Sequence, residues 1–167
     1  MSRASSTFKM QALLRDYILD GEIDCNDELS MLMQGGFNYY SNRRILTLSS
    51  AKIQSVNDLS LVVTSTAEMQ IQQRSGLVGL VPIDEVGIQR FQKEYQKDKF
   101  PSKVVLYSGA YTIRASMKSG GLFGGGVYFV PARDARVEYR TQGSKNNAIG
   151  SEWMLINTEE IQGCHAE

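Results

Sequence analysis

Trp153-Met154-Leu155-Ile156-Asn157-Thr158-Glu159-Glu160-Ile161 repeats, 75 positions later, the pattern of Val78-Gly79-Leu80-Val81-Pro82-Ile83-Asp84-Glu85-Val86. Each stretch is a short apolar run, a break, two acidic positions and a β-branched residue. The separation is the same at both ends (78 to 153, 86 to 161), so the two align without a gap. Self-similarity at a fixed offset indicates a duplicated unit.

Two further blocks recur in the same order. In Tyr17 to Ile23, the residues Tyr17, Leu19, Gly21 and Ile23 occupy one side of a period of two, the pattern of a half-buried strand. Residues 8–19 also admit a helical stripe that Gly21 would end, and the alternation favours the strand. Its counterpart is Tyr111-Thr112-Ile113-Arg114-Ala115-Ser116-Met117, 94 positions on, preceded by the apolar Lys103 to Tyr107 across the turn-forming Ser108-Gly109. The third block pairs Ile45 to Ile53 with Phe129 to Val137 at an offset of 84, and both copies end in alanine, a base and a β-branched residue. Offsets that change between blocks place the length differences in loops, where duplicated units diverge.

Between the copies, Ile88, Phe91 and Tyr95 fall at helical spacing in a charged segment that Pro101 closes. Its narrow apolar stripe predicts a surface helix covering one end of a barrel or sheet. The expected organisation is a β-rich unit over residues 8–86, a connecting helix over 87–100 and a second β-rich unit over 101–163. In the second unit the expected strands are Val104 to Leu106, Tyr111 to Met117, Gly126 to Val130, Ala135 to Tyr139 and Trp153 to Asn157. The order of helix, strands, glycine-rich turn and short closing apolar strand resembles the Sm-like small β-barrels. That resemblance implies two tandem, strongly bent antiparallel barrels, each closed by its last strand. The family's RNA-binding pattern, an aspartate and asparagine in one loop and an arginine-glycine in another, is absent from both copies, so no uridine site is carried over.

A hydrophobic share of 42% and a charged share of 22% describe an ordinary globular chain. No run approaches the roughly 18 apolar residues of a membrane span. The polar start, Met1 to Thr7, lacks the apolar core of a secretory signal, so the cytoplasm is the expected location. Eighteen basic and eighteen acidic side chains cancel, against the basic excess typical of proteins held on phosphates. Cys25 and Cys164 lie far apart with no second pair nearby, which predicts reduced thiols and no zinc site.

Candidate chemistry is sparse, and no cofactor, metal or catalytic residue is expected. The single histidine, His165, sits beside Cys164 in what reads as a frayed tail; one such pair supplies too few ligands for a metal and no orienting third group for a nucleophile. The run Ser119 to Gly126 lacks the lysine and hydroxyl of a phosphate loop, and it brackets Leu122 and Phe123 with glycines as a candidate partner-binding loop. Met31 to Phe37 is a related apolar loop in the first copy. Tyr39, Tyr40, Arg43 and Arg44 alone combine stacking rings with phosphate-binding cations, and form the nucleic-acid candidate. The acidic pairs Asp84-Glu85 and Glu159-Glu160 read as helix-start residues rather than an acid–base couple. Ala135 to Tyr139 and Trp153 to Asn157 carry few lysines or prolines and are the expected edge strands, with Trp153 and Leu155 at the seam. The sequence thus predicts a non-enzymatic, homo-oligomeric interaction or scaffold module, with single-stranded nucleic-acid binding as the alternative.

Overall fold

The chain alternates turn-forming residues with short apolar and alternating runs, and among the described residues these runs form ten strands. The computed structural model describes residues 7–24, 27–34, 45–57, 62–72, 76–119, 128–140 and 146–167. The first half contains β1 (Thr7–Leu14), β2 (Tyr17–Asp24), the short helix α1 (Asp27–Met33), β3 (Ile45–Ser55), β4 (Val62–Gln72) and β5 (Leu77–Pro82). Helix α2 (Glu85–Tyr95) leads into β6 (Ser102–Ser108), β7 (Tyr111–Met117), β8 (Phe129–Arg140) and β9 (Asn146–Asn157). A 3-10 turn at Thr158–Glu160 separates β9 from β10 (Gly163–Ala166).

All ten strands join one antiparallel sheet in the order β10-β6-β7-β8-β9-β5-β1-β2-β3-β4. The sheet is not closed on itself, and β4 and β10 stand at its ends. Read in one direction along the sheet, each half has the same order: its fifth strand lies beside its first, followed by its second, third and fourth.

Two expected blocks coincide with equivalent strands. The Tyr17 and Tyr111 blocks are β2 and β7, the second strand of each half, and the Ile45 and Phe129 blocks begin β3 and β8, the third. Against the second strand of its half, each third strand shifts register at the same place. Gly21 of β2 faces Ser50 and Ala51 together, and Ala115 of β7 faces Asp134 and Ala135 together. Such a bulge bends a strand without ending it. For that reason Phe129 and Val130 of the expected strand Gly126 to Val130 and the expected strand Ala135 to Tyr139 belong to the single strand β8, continuous through Pro131 to Asp134; Gly126 and Val127 lie outside the described residues.

The opening block is corrected. Val78 to Pro82 lies in β5, the fifth strand of its half, whereas Trp153 to Asn157 lies in β9, the fourth of the other. They are partners rather than equivalents: Gly79 pairs with Ile156 and Leu80 with Leu155. Their likeness arises because both run through the middle of the sheet and bury both faces, which demands near-continuous apolar runs. The closing strand of the second half is β10, in the segment that reads as a frayed tail; it is held by pairing of Gly163 with Tyr107 through Ala166 with Val104.

Helix α2 begins where Asp84 caps it. One Asp84 carboxylate oxygen accepts from the Gly87 amide at 2.9 Å and the other from the Lys9 amide of β1 at 2.9 Å. That is the helix-start role expected of the Asp84-Glu85 pair. Phe91 and Tyr95 of the predicted stripe are buried. They pack in a core with Phe8, Met10, Leu46 and Leu80 of the first half and Trp153 and Leu155 of β9. A second core gathers β6 to β9 around Tyr111, Ile113 and Val137 and takes in Leu13, Ile18, Val78 and Val81 of the first half. Each core thus draws on both halves.

Candidate interaction surface

The middle of the sheet is a joint between two similar halves, and its chemistry sets the standard for judging the ends. Only Gly79 and Leu80 of β5 pair with β9, so side chains carry much of the contact. Asn157, fully buried, donates from Nδ2 to the Leu77 carbonyl at 2.9 Å, and its Oδ1 accepts from the Glu159 amide at 3.1 Å. Tyr111 donates its hydroxyl to the Leu14 carbonyl at 2.8 Å. Glu160 of the 3-10 turn accepts two hydrogen bonds from the Arg15 guanidinium, at 2.8 and 3.0 Å, and one from the Gly76 amide at 3.2 Å. The carboxylate is buried while the guanidinium reaches solvent, and the pairing holds the Arg15 proton more tightly than usual. Close approach is a condition of the joint: a Cβ on Gly79 would run into the Met154 side chain and lie 2.7 Å from the Leu155 carbonyl oxygen.

Trp153 and Leu155 belong to this joint. Their side chains are 2% and 0% exposed, so neither offers surface to a partner outside the chain. The Trp153 ring stacks against Tyr95 at 5.8 Å and meets Phe100 edge-on at 5.5 Å, with the Arg133 guanidinium over it at 5.4 Å. Leu155 pairs with Leu80 on one side and Pro131 on the other. A proline at Leu155 would therefore disrupt the centre of the sheet. The expected edges, Ala135 to Tyr139 and Trp153 to Asn157, are both interior. The physical reason lies in β4 and β10, which read as weaker strands and take the outer positions.

The pairing registers relate each end strand to one strand of the joint. Ile71 of β4 faces Leu46, and Ile156 of β9 faces Val130, the residue that corresponds to Leu46. Glu68, Gln70 and Ile71 of β4 thus correspond to Trp153, Leu155 and Ile156 of β9. Gly79 of β5 faces Leu13, and Gly163 of β10 faces Tyr107, the residue that corresponds to Leu13. The same relation extends past the strands: the Ile83 amide donates to the Lys9 carbonyl at 3.1 Å, and the Glu167 amide to the Lys103 carbonyl at 3.0 Å.

Beside β10 a cavity of about 1150 Å³ opens between β6, β8 and α2. Val104, Val130 and Cys164 line it. Their counterparts in the first half, Met10, Leu46 and Leu80, lie under Trp153 and Leu155 in the core. Cys164 is exposed, and His165 approaches the Tyr107 hydroxyl through Nε2 at 3.0 Å.

Leu122 and Phe123, and the four residues Tyr39, Tyr40, Arg43 and Arg44, lie outside the described residues. The features that the sequence reading missed are β4, β10 and Glu160. Polar alternation in Thr66 to Gln72 is the one signal that could have revealed β4. Among the described residues no helix is long and apolar enough to cross a membrane. No protein-family model, curated protein or solved structure matches this chain.

Proposed function

We propose that the chain is a non-enzymatic interaction or scaffold module, made of two tandem, strongly bent small β-barrel units of the Sm-like kind, that self-associates through its end strands. The observation that carries this reading is the pair of open sheet ends. A strand at a sheet end can template a further strand, and soluble proteins ordinarily guard such ends with lysine, proline or a cover. Neither β4 nor β10 contains a lysine or a proline. The repeated strand order and the matching bulges of β3 and β8 support the tandem-unit reading, since a bulge at the same place in each half bends both in the same manner.

Sedimentation equilibrium tests the self-association. The expected result is a mass that is a multiple of the 18.6 kDa chain at micromolar concentration. A single chain's mass at every concentration up to about 100 μM, well past saturation of an interface worth about −8 kcal/mol, overturns the reading.

A further inference from the structure

We infer that the cavity over β6 and β10 is the seat for a partner protein's amphipathic helix, one that opens on a capping carboxylate and carries two aromatic side chains four residues apart. The inference rests on the interaction-module reading above and adds the kind of partner and the place it occupies. In the first half the same seat already holds a helix. There α2 lies against β1 and β5: a Cβ on Gly87 would come within 3.1 Å of Pro82 and closer still to the Phe8 ring. Phe91 and Tyr95 of α2 are buried in the core that holds Phe8, Met10 and Leu80.

The pair Met10 with Pro82 and the pair Val104 with Ala166 hold the same place in the two halves. On that correspondence Ser102, Val104, Cys164 and Ala166, which line the cavity, match Phe8, Met10, Leu80 and Pro82. The first-half residues are all buried, whereas Ser102 and Val104 are half-buried and Cys164 and Ala166 exposed. Each cavity residue is also smaller than its counterpart. A helix seated there finds more room than α2 does and needs bulky anchors to fill it. Two aromatics at a spacing of four share one helix face and supply that bulk, as Phe91 and Tyr95 do for α2. Tyr95 and Asp98, at the end of α2, line the cavity too, so the seat continues the surface on which α2 packs.

The start of the incoming helix is specified separately. The Asp84 carboxylate that caps α2 also accepts from the Lys9 amide, and the Lys9 carbonyl accepts from the Ile83 amide. Lys103 is the counterpart of Lys9: its carbonyl accepts from the Glu167 amide, and among the described residues no carboxylate meets its amide. The acids that line the cavity are already held, Glu94 by Arg90, Asp98 by Lys118 and Glu167 by Arg114. Lys103 thus offers an amide and a positive charge to a capping carboxylate. A helix across the face of β6 and β10 leaves the β10 edge free, as α2 leaves β5 free to pair with β9.

The probe is a synthetic peptide of residues 83–99, the α2 segment, added to the full chain carrying Cys25→Ser, in which Cys164 is the single thiol. Cys164 is exposed and lines the cavity, so its rate of alkylation by iodoacetamide reports occupancy. The peptide is expected to slow alkylation severalfold, and a peptide with Phe91→Ala and Tyr95→Ala to leave the rate unchanged. A short free helix is marginal in water, so a second form of the chain carries residues 84–99 joined directly after Glu167, the counterpart of Ile83. Protection by either form that its alanine version lacks supports the seat. Protection by neither, or equal protection by the alanine versions, overturns it; a sedimentation mass that is still a multiple of the chain then leaves self-association standing. Protection that needs no peptide and rises with the chain's own concentration assigns the cavity to a second copy and overturns the partner helix. A single-chain mass with aromatic-dependent protection supports the seat and overturns self-association alone.

Discussion

Ser50 and Asp134, at the same place in β3 and β8, have φ angles of 49° and 50° and are the two non-glycine residues with positive φ among those described. Each is the first residue of a bulge, facing Gly21 or Ala115 across the ladder. The left-handed region costs an L-residue about 1–2 kcal/mol, less for aspartate, whose short side chain bonds locally. Ser50→Gly is therefore expected to stabilise the fold by up to about 1 kcal/mol. Asp134→Gly should stabilise it less, and Ser50→Val should destabilise it, since a β-branched residue fits that region worst. Urea unfolding midpoints of the three variants check the ordering.

Gly79 tests the steric demand of the joint. Its added Cβ would meet the Leu155 carbonyl oxygen at 2.7 Å, a backbone atom that cannot rotate away. Gly79→Ala is expected to cost about 1–3 kcal/mol, as overpacked cores do. A melting temperature equal to wild type would show that β5 and β9 can separate without loss.

Asn157 anchors the same joint by a buried hydrogen bond to the Leu77 carbonyl. Asn157→Ala removes that donor and the acceptor for the Glu159 amide, leaving the Leu77 carbonyl without it. The expected loss is about 1–3 kcal/mol by chemical denaturation. Asn157→Asp should be no better, because a carboxylate cannot donate to a carbonyl.

Alkaline stability follows from two tyrosines. Burial pushes the phenols of Tyr95 and Tyr111 above the ordinary value of 10.0. Below that value both are neutral in the folded and unfolded chain, and the stability they confer is fully present. As the pH rises past about 10, the unfolded chain loses phenolic protons that the folded chain keeps, so stability falls. Tyr95→Phe and Tyr111→Phe should each flatten the decline above about pH 10, measured by urea midpoints, beyond any change in baseline from the lost bonds to Met33 and Leu14.

By itself the sequence determined the β-rich class, helix α2 with its Phe91 and Tyr95 stripe, and the correspondence of β2 with β7 and of β3 with β8. Alternation at a period of two and helical spacing are local signals, written within one element and its own burial pattern. The tertiary structure decided the rest. The Val78 and Trp153 runs resemble each other because both are buried on two faces, and local pattern cannot distinguish strands that are equivalent from strands that pair. The outer places went to β4 and β10 because neither has the apolar run that an interior strand needs, so periodicity passes over them. Glu160 reads as one of two acidic turn residues; its partner Arg15 lies 145 positions away, and only the folding of one half against the other brings the guanidinium to the buried carboxylate.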